Sequence, residues 1–434
     1  MARDSRGAYV IWEMSAMIVR LPGKLTFNPA IILLSVFILP LCASSSACGD
    51  QEAETSVTKV QATHPLGPSS YLCTRGKDIV DRTGRVVRLR GVNIGGWLVT
   101  EGWMCGQSDT SSRVDIERGA LEQLEKRFGP EKAATLMNAW YDHWFTTNDL
   151  DLIQSWGFNV IRVPFSYRNL QDAAGNWKRD ARGNVDFSRM DWVAREAAKH
   201  GIYVIFDLHV WPGLLNYGLP SRWSEEGKAV RAKMALLWGE VAKHFKGNAA
   251  VAAFDVINEP EGSPRNAPQH AFSDAIRAQD PERMIIVETT GYENTPKEFP
   301  KNTVYSDHYA FKDQASFENY RSSLQAHPEV HVPLFLGEMG TRQDTAESAR
   351  WMAEMMNKEG WSWTIWTYKA VNIGGWAGFN YYDEFHYDLS KDSYESILDK
   401  WTHGLSQWQD PAKPKNYHLN QWWIDAYKQS LGNP

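Results

Sequence analysis

The sequence lacks an excess of basic residues. Lysine and arginine total 46 against 52 aspartate and glutamate residues, which leaves a net charge of -6. A phosphate backbone is bound by clustered Lys and Arg side chains, so nucleic acid is not an expected partner. Disorder is not expected either, because 43% of the 434 residues are hydrophobic and 23% are charged, as in globular proteins.

Signature motifs of several enzyme classes are missing from the sequence as well. The segment "GVNIGGW" (91–97) contains glycines, but no helix with dinucleotide-binding spacing follows it. There is no GxSxG elbow of a serine hydrolase and no HExxH pair of a zinc enzyme. The sequence therefore predicts neither a cofactor nor a metal.

The sequence near the N-terminus lacks an apolar segment long enough to cross a membrane readily. The apolar stretch "AIILLSVFILPL" (30–41) is short, follows Arg20 and Lys24, and precedes small residues up to Cys48. This pattern predicts a signal peptide over 1–47 and a secreted, periplasmic or cell-surface protein. The dipeptide before Cys48 also suits lipoprotein cleavage, so attachment to a membrane through an N-terminal lipid is an open alternative.

Cysteine is scarce, with four residues in the whole chain. If cleavage falls beside Cys48, then Cys73 and Cys105 remain, and an oxidising compartment would permit them to pair. Residues 48–70 are polar and typical of a flexible tether. The folded catalytic domain is predicted over 71–434, and we expect a monomer.

Eight β-branched or aromatic runs recur in the remaining chain, and each ends in polar residues. Helical periodicity over 188–199 and 228–245 separates some of these runs. Strands that alternate with helices predict a parallel sheet, and eight such units predict a (β/α)₈ barrel, the TIM barrel fold. The runs are 86–93, 159–166, 203–209, 252–260, 284–290, 303–309, 333–340 and 362–369.

One unit departs from this repeat. The connection 291–302 contains two prolines, so a helix there is doubtful and an open, doubly wound sheet remains an alternative. Before the first strand, the segment 73–87 predicts a hairpin around "DRTGR" that closes the barrel floor. The segment 416–431 predicts a closing amphipathic helix.

Polar residues stand at the ends of the predicted strands. In such a barrel the carboxyl ends of all strands open on one face, where active sites are built. Buried charge is unfavourable unless it is paired, so nine such residues at one face indicate a function rather than packing. They are Asn93, Arg162, His209, Asn258, Glu259, His308, Tyr309, Glu338 and Trp366.

Two glutamates in this set suit the hydrolysis of a glycosidic bond. One carboxyl group protonates the leaving oxygen while the other attacks the anomeric carbon. The two roles require different pKa values, and an arginine beside one carboxylate keeps that group ionised.

Six motifs in this order resemble glycoside hydrolase family 5. They are "RGVNIGGWLVTEGW", "NVIRVPFSY", "DLHVWPG", "VINEP", "LGEMG" and "WTIWTYK", and the resemblance extends from about residue 75 to about residue 430. The first and last motifs are most similar to the exo-β-1,3-glucanase-like branch. The resemblance implies a (β/α)₈ barrel and a retaining β-glycosidase.

Carried over to this chain, the resemblance makes Glu259 the general acid/base and Glu338 the nucleophile. It implies that Asn258 binds the 2-hydroxyl group of the attacked sugar and that Arg162 keeps Glu338 ionised and oriented. The two carboxyl groups of a retaining enzyme are expected roughly 5 Å apart.

The resemblance also implies a set of substrate-binding residues. His209 and His308 would line the sugar subsite, and Trp366 would form the platform under the reacting ring. Glu101 matches an acidic residue that binds hydroxyl groups of the terminal glucose, although pairing with a nearby Lys or Arg is an equal alternative. The family usually has a tyrosine where Ala310 stands, so either Tyr309 reaches the nucleophile or that hydrogen bond is missing.

The predicted substrate is a β-glucan polysaccharide or oligosaccharide. Release of terminal glucose from a β-1,3-glucan is the first choice. Endo-β-1,4-glucanase activity is an alternative, because the aromatic run 376–385 could line an open cleft. A non-catalytic carbohydrate-binding barrel on the cell surface is a third hypothesis, which predicts the loss of one glutamate.

Overall fold

The computed structural model describes residues 65–108, 117–212, 225–260, 266–288, 301–327, 331–341, 345–382, 384–405 and 416–432. The predicted signal peptide and most of the predicted tether lie outside these residues. Within the described ranges, no helix combines the length and the apolar character needed to cross a membrane.

The described chain begins with an antiparallel hairpin. Strand β1 (Leu72–Arg75) pairs with β2 (Asp78–Asp81), so this turn lies between Arg75 and Asp78, before the predicted "DRTGR". The chain reverses again at "DRTGR" itself, where Val80 and Val86 form an antiparallel bridge.

Eight parallel strands follow and form a closed barrel. The hydrogen-bonded order is β10-β3-β4-β5-β6-β7-β8-β9, which confirms the predicted barrel and excludes the open sheet. The strands are β3 (Arg90–Asn93), β4 (Val160–Ser166), β5 (Tyr203–Val210), β6 (Val251–Asp255), β7 (Met284–Glu288), β8 (Thr303–Phe311), β9 (Leu334–Thr341) and β10 (Ser362–Ile365).

The hairpin covers the amino-terminal end of this barrel, as predicted. Leu72 and Ile79 pack in one buried cluster with Val160 and Met284, which are the first residues of β4 and β7. The end of the predicted tether also contacts the barrel, since the Leu66 amide donates a 2.9 Å hydrogen bond to the Ala198 carbonyl. Burial of these apolar side chains closes the floor and leaves the opposite end for polar residues.

Helices pack around the barrel. The helix predicted over 188–199 is confirmed as α5, with Met190, Val193, Ala194 and Ala197 buried. The described helices are α1 (Glu117–Phe128), α2 (Pro130–Trp144), α3 (Thr147–Ser155), α4 (Tyr167–Leu170), α5 (Ser188–Lys199), α6 (Glu225–His244), α7 (Asn266–Gln279), α8 (Gln314–Gln325), α9 (Ala346–Lys358), α10 (Tyr394–Asp399) and α11 (Gln421–Ser430).

A small sheet follows the barrel. Strands β11 (Lys369–Val371) and β12 (Phe379–Tyr381) run parallel, and β13 (Tyr417–Leu419) pairs antiparallel with β12. The predicted closing helix therefore starts later, at Gln421, because residues 417–419 form a strand instead.

A buried ion pair connects this sheet to the helices around the barrel. The Nζ atom of Lys369 lies 2.5 Å from Asp149 Oδ1 on α3, and it donates a 2.7 Å hydrogen bond to the Trp144 carbonyl at the end of α2. The Tyr368 hydroxyl donates to the same Asp149 oxygen at 2.7 Å. Both charged side chains are fully buried, so each charge has an opposite charge or a hydrogen bond beside it.

The proposed Cys73–Cys105 disulfide is wrong. Cys73 is disulfide-bonded, whereas Cys105 is a buried free thiol. Cys73 lies on β1 at the barrel floor, and Cys105 follows β3 at the other end of the barrel, so the two sulfur atoms cannot meet.

Candidate active site

Arg162 lies at the centre of the polar end of the barrel. Its side chain is fully buried on β4, two residues after the inward-facing Val160, so both point into the barrel. Five side chains accept hydrogen bonds from its N–H groups at 2.8–3.1 Å: Asn93, Asp255, Asn258, Glu288 and Glu338. Asp207 on β5 adds an ion pair, with its Oδ2 atom 3.1 Å from Arg162 Nη2. The burial of so many carboxylates is possible because they share this one guanidinium.

Glu338 lies on β9, directly opposite His308 on β8. Its Oε1 atom is 2.9 Å from Arg162 Nη1, which orients the carboxylate. The preceding Gly337 permits this position, since a Cβ atom there would lie 2.9 Å from Ser306 Oγ and 3.0 Å from His308 Nε2. The close packing of β8 against β9 therefore requires glycine before the glutamate.

Glu259 follows β6 in a backbone conformation that side chains rarely adopt. Its φ angle is +41°, and its amide donates a 2.7 Å hydrogen bond to Glu288 Oε2. Its carboxylate is 63% exposed and lies 3.0 Å from His308 Nδ1. One carboxylate oxygen of Glu259, one of Glu338 and a ring nitrogen of His308 all lie within 4.8 Å of one another.

His308 lies between three carboxylates. Burial disfavours its charged form, but the negative charges of Glu288 and Glu338 outweigh burial and raise the pKa of His308 well above the ordinary value. The hydrogen bond from His308 in turn lowers the pKa of Glu259 to about 2, an effect that solvent weakens because Glu259 is largely exposed. In this geometry Glu259 is a carboxylate and His308 holds the proton.

The opposite wall of the site is aromatic and polar. The His209 and Trp366 rings stack with centroids 5.5 Å apart, and His209 Nδ1 lies 2.8 Å from Asp207 Oδ2. Glu101 Oε1 lies 3.7 Å from His209 Nε2, and its other oxygen accepts a 2.6 Å hydrogen bond from Trp103 Nε1. Glu101 is thus part of the site wall.

The structure does not bring Tyr309 to the carboxylates. Neighbouring strand residues face opposite sides, so Tyr309 points outward because His308 points inward. Its ring packs against Phe311 at 4.6 Å and Tyr320 at 5.0 Å, between β8 and α8. The substrate-binding role predicted for Tyr309 is therefore withdrawn, and the described residues show no hydrogen bond from Tyr309 to Glu338.

Three buried acids at this face were missed by the sequence analysis. Asp207 and Asp255 interrupt apolar strands, and Glu288 ends β7. Burial and the neighbouring Glu288 raise the pKa of Asp255 well above its ordinary value. The signal was present in the sequence, because an acid within or at the end of an otherwise apolar barrel strand needs a buried partner.

Asn93 joins the cluster as a neutral support. Its Oδ1 atom accepts from Arg162 at 3.1 Å, and its Nδ2 atom donates to the Gly337 carbonyl at 2.9 Å. Asn258 holds the other side of the guanidinium at 2.8 Å and approaches His209 at 3.5 Å. Both amides thereby fix Arg162 without adding charge.

One group among the described residues has the spacing to bind a metal ion, and it consists of Glu259, His308 and Glu338. The contacts within this group and with Arg162 are those of an acid–base and ion-pair network. That no metal takes part stays a prediction from the sequence.

Comparison with known families agrees with the geometry. The model of "Cellulase (glycosyl hydrolase family 5)" matches residues 123–372, which include every strand from β4 to β10. This segment spans more than half of the chain.

Two relatives with similar sequences have names that identify them as glycosidases. A "Beta-xylosidase" of Phanerodontia chrysosporium is 28% identical over 357 residues, 70% of this chain and 72% of that protein. The "Glucan 1,3-beta-glucosidase 1" of Schizosaccharomyces pombe is 34% identical over 152 residues, 34% of this chain and 35% of that protein. A solved endogalactoceramidase has a TM-score of 0.56 at 15% identity, covering 82% of this chain and 84% of that one, which shows the shared fold.

Proposed function

Because the chain belongs to the cellulase family, glycosyl hydrolase family 5, we propose that it hydrolyses a β-glucan with retention of anomeric configuration. Glu338 is the nucleophile and Glu259 is the general acid/base. The observation that supports this proposal is the approach of their carboxylate oxygens within 4.8 Å. Retaining glycosidases hold the two carboxyl groups about 5–5.5 Å apart, whereas inverting enzymes need about 6.5–9.5 Å to admit a water molecule.

In the first step Glu338 attacks the anomeric carbon while the bond to the leaving oxygen breaks. Arg162 orients Glu338 for this attack, since its guanidinium lies 2.9 Å from the attacking carboxylate. Glu259 transfers a proton to the leaving oxygen, and a covalent glycosyl-enzyme forms. In the second step Glu259 removes a proton from water, which attacks the same carbon and releases Glu338.

The proton for the leaving oxygen reaches Glu259 from His308. Their 3.0 Å contact places the proton on the imidazole and the negative charge on Glu259. A sugar oxygen that approaches Glu259 displaces solvent from this exposed carboxylate, which favours its neutral form. His308 then returns the proton to Glu259 along the same hydrogen bond.

The sugar that is attacked stacks on the Trp366 and His209 wall. Glu101 lies beside that wall and accepts sugar hydroxyl groups, and Asn258 lies next to Arg162 where the 2-hydroxyl group would bind. The faces of aromatic rings suit the apolar C–H face of a pyranose.

The preferred substrate is a β-1,3-glucan from which terminal glucose is released. Relatives named glucan 1,3-β-glucosidase support this choice, together with the strand-end motifs of the same branch. The chain acts outside the cytoplasm, as its predicted signal peptide indicates.

Endo-acting cleavage of a β-1,4-glucan is a second candidate, favoured by the exposed rings of Trp376 (46%) and Tyr382 (41%) in the aromatic run. Digestion of laminarin, carboxymethylcellulose and a β-1,6-glucan, followed by product analysis, distinguishes glucose release from oligomer release. No product from any of the three glucans would favour the non-catalytic carbohydrate-binding barrel.

The roles of the two glutamates are tested with Glu338→Ala and Glu259→Ala on an aryl β-glucoside in the presence of azide. We expect Glu338→Ala to lose turnover and to form α-glucosyl azide, because azide then attacks directly with a single inversion. We expect Glu259→Ala to form β-glucosyl azide, because azide replaces water in the second displacement. Wild-type-like turnover by Glu338→Ala would contradict the proposal.

A further inference from the structure

Glu288 has contacts that neither the sequence motifs nor the two-carboxylate mechanism explain. It is 4% exposed at the end of β7, and its backbone is held on both sides by Gln269 of α7. The Gln269 amide donates to the Glu288 carbonyl at 2.7 Å and accepts from the Glu288 amide at 2.8 Å. The carboxylate is therefore fixed in direction before it contacts the site.

Three donors surround the two carboxylate oxygens of Glu288. Oε2 accepts from the backbone amide of Glu259 at 2.7 Å. Oε1 accepts from Arg162 Nη2 at 3.1 Å and lies 3.1 Å from His308 Nε2, an ion pair without the angle of a hydrogen bond. Glu288 thus contacts the main chain of Glu259 and also the ring whose other nitrogen contacts the Glu259 carboxylate.

We propose that Glu288 is a positioning residue for proton transfer by Glu259. Its carboxylate fixes the Glu259 backbone and the His308 ring relative to each other. This inference rests on the proposed function of Glu259. The φ angle of +41° at Glu259 is unfavourable for a residue with a Cβ atom, and the hydrogen bond to Glu288 Oε2 stabilises it. The contact with His308 Nε2 directs Nδ1 toward Glu259.

The nucleophile half depends less on Glu288. Without Glu288, Arg162 Nη2 still has Asp207 at 3.1 Å and Asn258 at 2.8 Å, and Nη1 still contacts Glu338 at 2.9 Å. The Glu259 amide has Glu288 as its acceptor within the described part of the chain. A change at Glu288 should therefore impair proton donation more than nucleophilic attack.

The test is Glu288→Gln, measured on two substrates with different leaving groups. An amide has one acceptor oxygen, so one of the three donors must face its NH₂ group. A glucoside with an alkyl or sugar leaving group requires a proton, and we expect kcat/KM to fall on the order of 10²-fold. A 2,4-dinitrophenyl β-glucoside leaves without protonation, and its first step should fall by less than about fivefold.

Two further variants complete the experiment. Glu282→Gln is the matched control, because Glu282 precedes β7 but is 54% exposed and contacts Arg82 outside the site. Glu288→Asp keeps the charge with a shorter reach and should show the same leaving-group dependence at smaller size, which also serves if Glu288→Gln fails to fold. Equal losses on both substrates, or no loss, would overturn the inference. Absence of wild-type turnover of any β-glycoside would instead refute the proposed function.

Discussion

Arg162 and Lys369 are both fully buried cations, but their surroundings differ. Among the residues that the structure describes, the carboxylate paired with Lys369 is that of Asp149, which also accepts a hydrogen bond from the Tyr368 hydroxyl. Arg162 has four carboxylates within 3.1 Å, and single oxygens of Asp207 and Asp255 accept no hydrogen bond among the described residues. The Lys369 pair is balanced in charge, whereas the Arg162 cluster has excess negative charge.

The two environments shift the pKa values of nearby groups in different ways. Around Arg162 the neighbouring carboxylates raise the pKa of His308 and His209 against the effect of burial, and burial together with Glu288 raises the pKa of Asp255. At Lys369 burial dominates and lowers the pKa of the ammonium group. The balanced pair satisfies its own buried charges, while the unbalanced cluster shifts the pKa values of its neighbours, as functional sites often do.

The largest expected effect comes from removal of each cation. Arg162→Met leaves three buried acids and the partly buried Glu338 without their shared cation, and Lys369→Met leaves Asp149 without its opposite charge. Each should lower the free energy of unfolding by about 3–5 kcal/mol, which is typical when one member of a buried pair is removed. Urea unfolding at neutral pH measures both.

Activity separates the two variants. We expect Arg162→Met to lose turnover of an aryl β-glucoside even where it is folded, because Glu338 loses its 2.9 Å ion pair. Lys369→Met should keep kcat/KM within about threefold of the wild type. The Lys369–Asp149 pair lies outside the candidate active site, so its loss should not change the stabilisation of the transition state. Loss of turnover in folded Lys369→Met would contradict the interpretation that the Arg162 cluster serves catalysis whereas the Lys369 pair does not.

The second effect is a dependence of stability on pH. Burial alone would lower the pKa of His209, but Asp207 outweighs it and raises the pKa to about 9. The folded pKa exceeds the unfolded value, so this contribution is complete below pH 6.5 and is lost as pH rises through about 9. The free energy of unfolding should fall by at most about 3 kcal/mol over that range.

Denaturant unfolding between pH 6 and 10 measures this slope. His209→Gln should flatten the curve, while His308 continues to contribute with the same sign because its pKa is also raised. His403→Gln is the control, since His403 is 74% exposed and pairs at the surface with Asp399. A wild-type curve that rises with pH over this range would contradict the assignment.

The smallest expected effect concerns the aromatic edge of the site. Trp103→Phe keeps a ring but removes the 2.6 Å hydrogen bond that holds one carboxylate oxygen of Glu101. We expect KM for the glucan to rise about 3–10-fold with little change in kcat, as for the loss of one partly exposed hydrogen bond. Steady-state kinetics measure it, with Tyr394→Phe as the aromatic control, because the Tyr394 ring packs against Phe128 and Lys132. A lower kcat at unchanged KM would contradict this role.

The fold could be predicted because each strand is an apolar run that ends in polar residues. That pattern located the barrel and placed Glu259 and Glu338 at one face. Tyr309 was misplaced because a match by motif ignored strand alternation, which turns adjacent side chains to opposite sides. Glu288 was missed because its partners, the Glu259 amide and His308, are near only after the barrel closes.

The acceptors around Arg162 also link formation of the active site to assembly of the barrel. Its partners come from β3, β5, β6, β7 and β9 or the residues just after them, so a fragment that lacks any of these strands lacks part of the set. An incomplete barrel would expose these charges to water, where they remain hydrated and separate. We therefore expect two halves of the chain that divide these strands between them to be inactive when apart, and recovery of activity on mixing would report that the strands have assembled around Arg162.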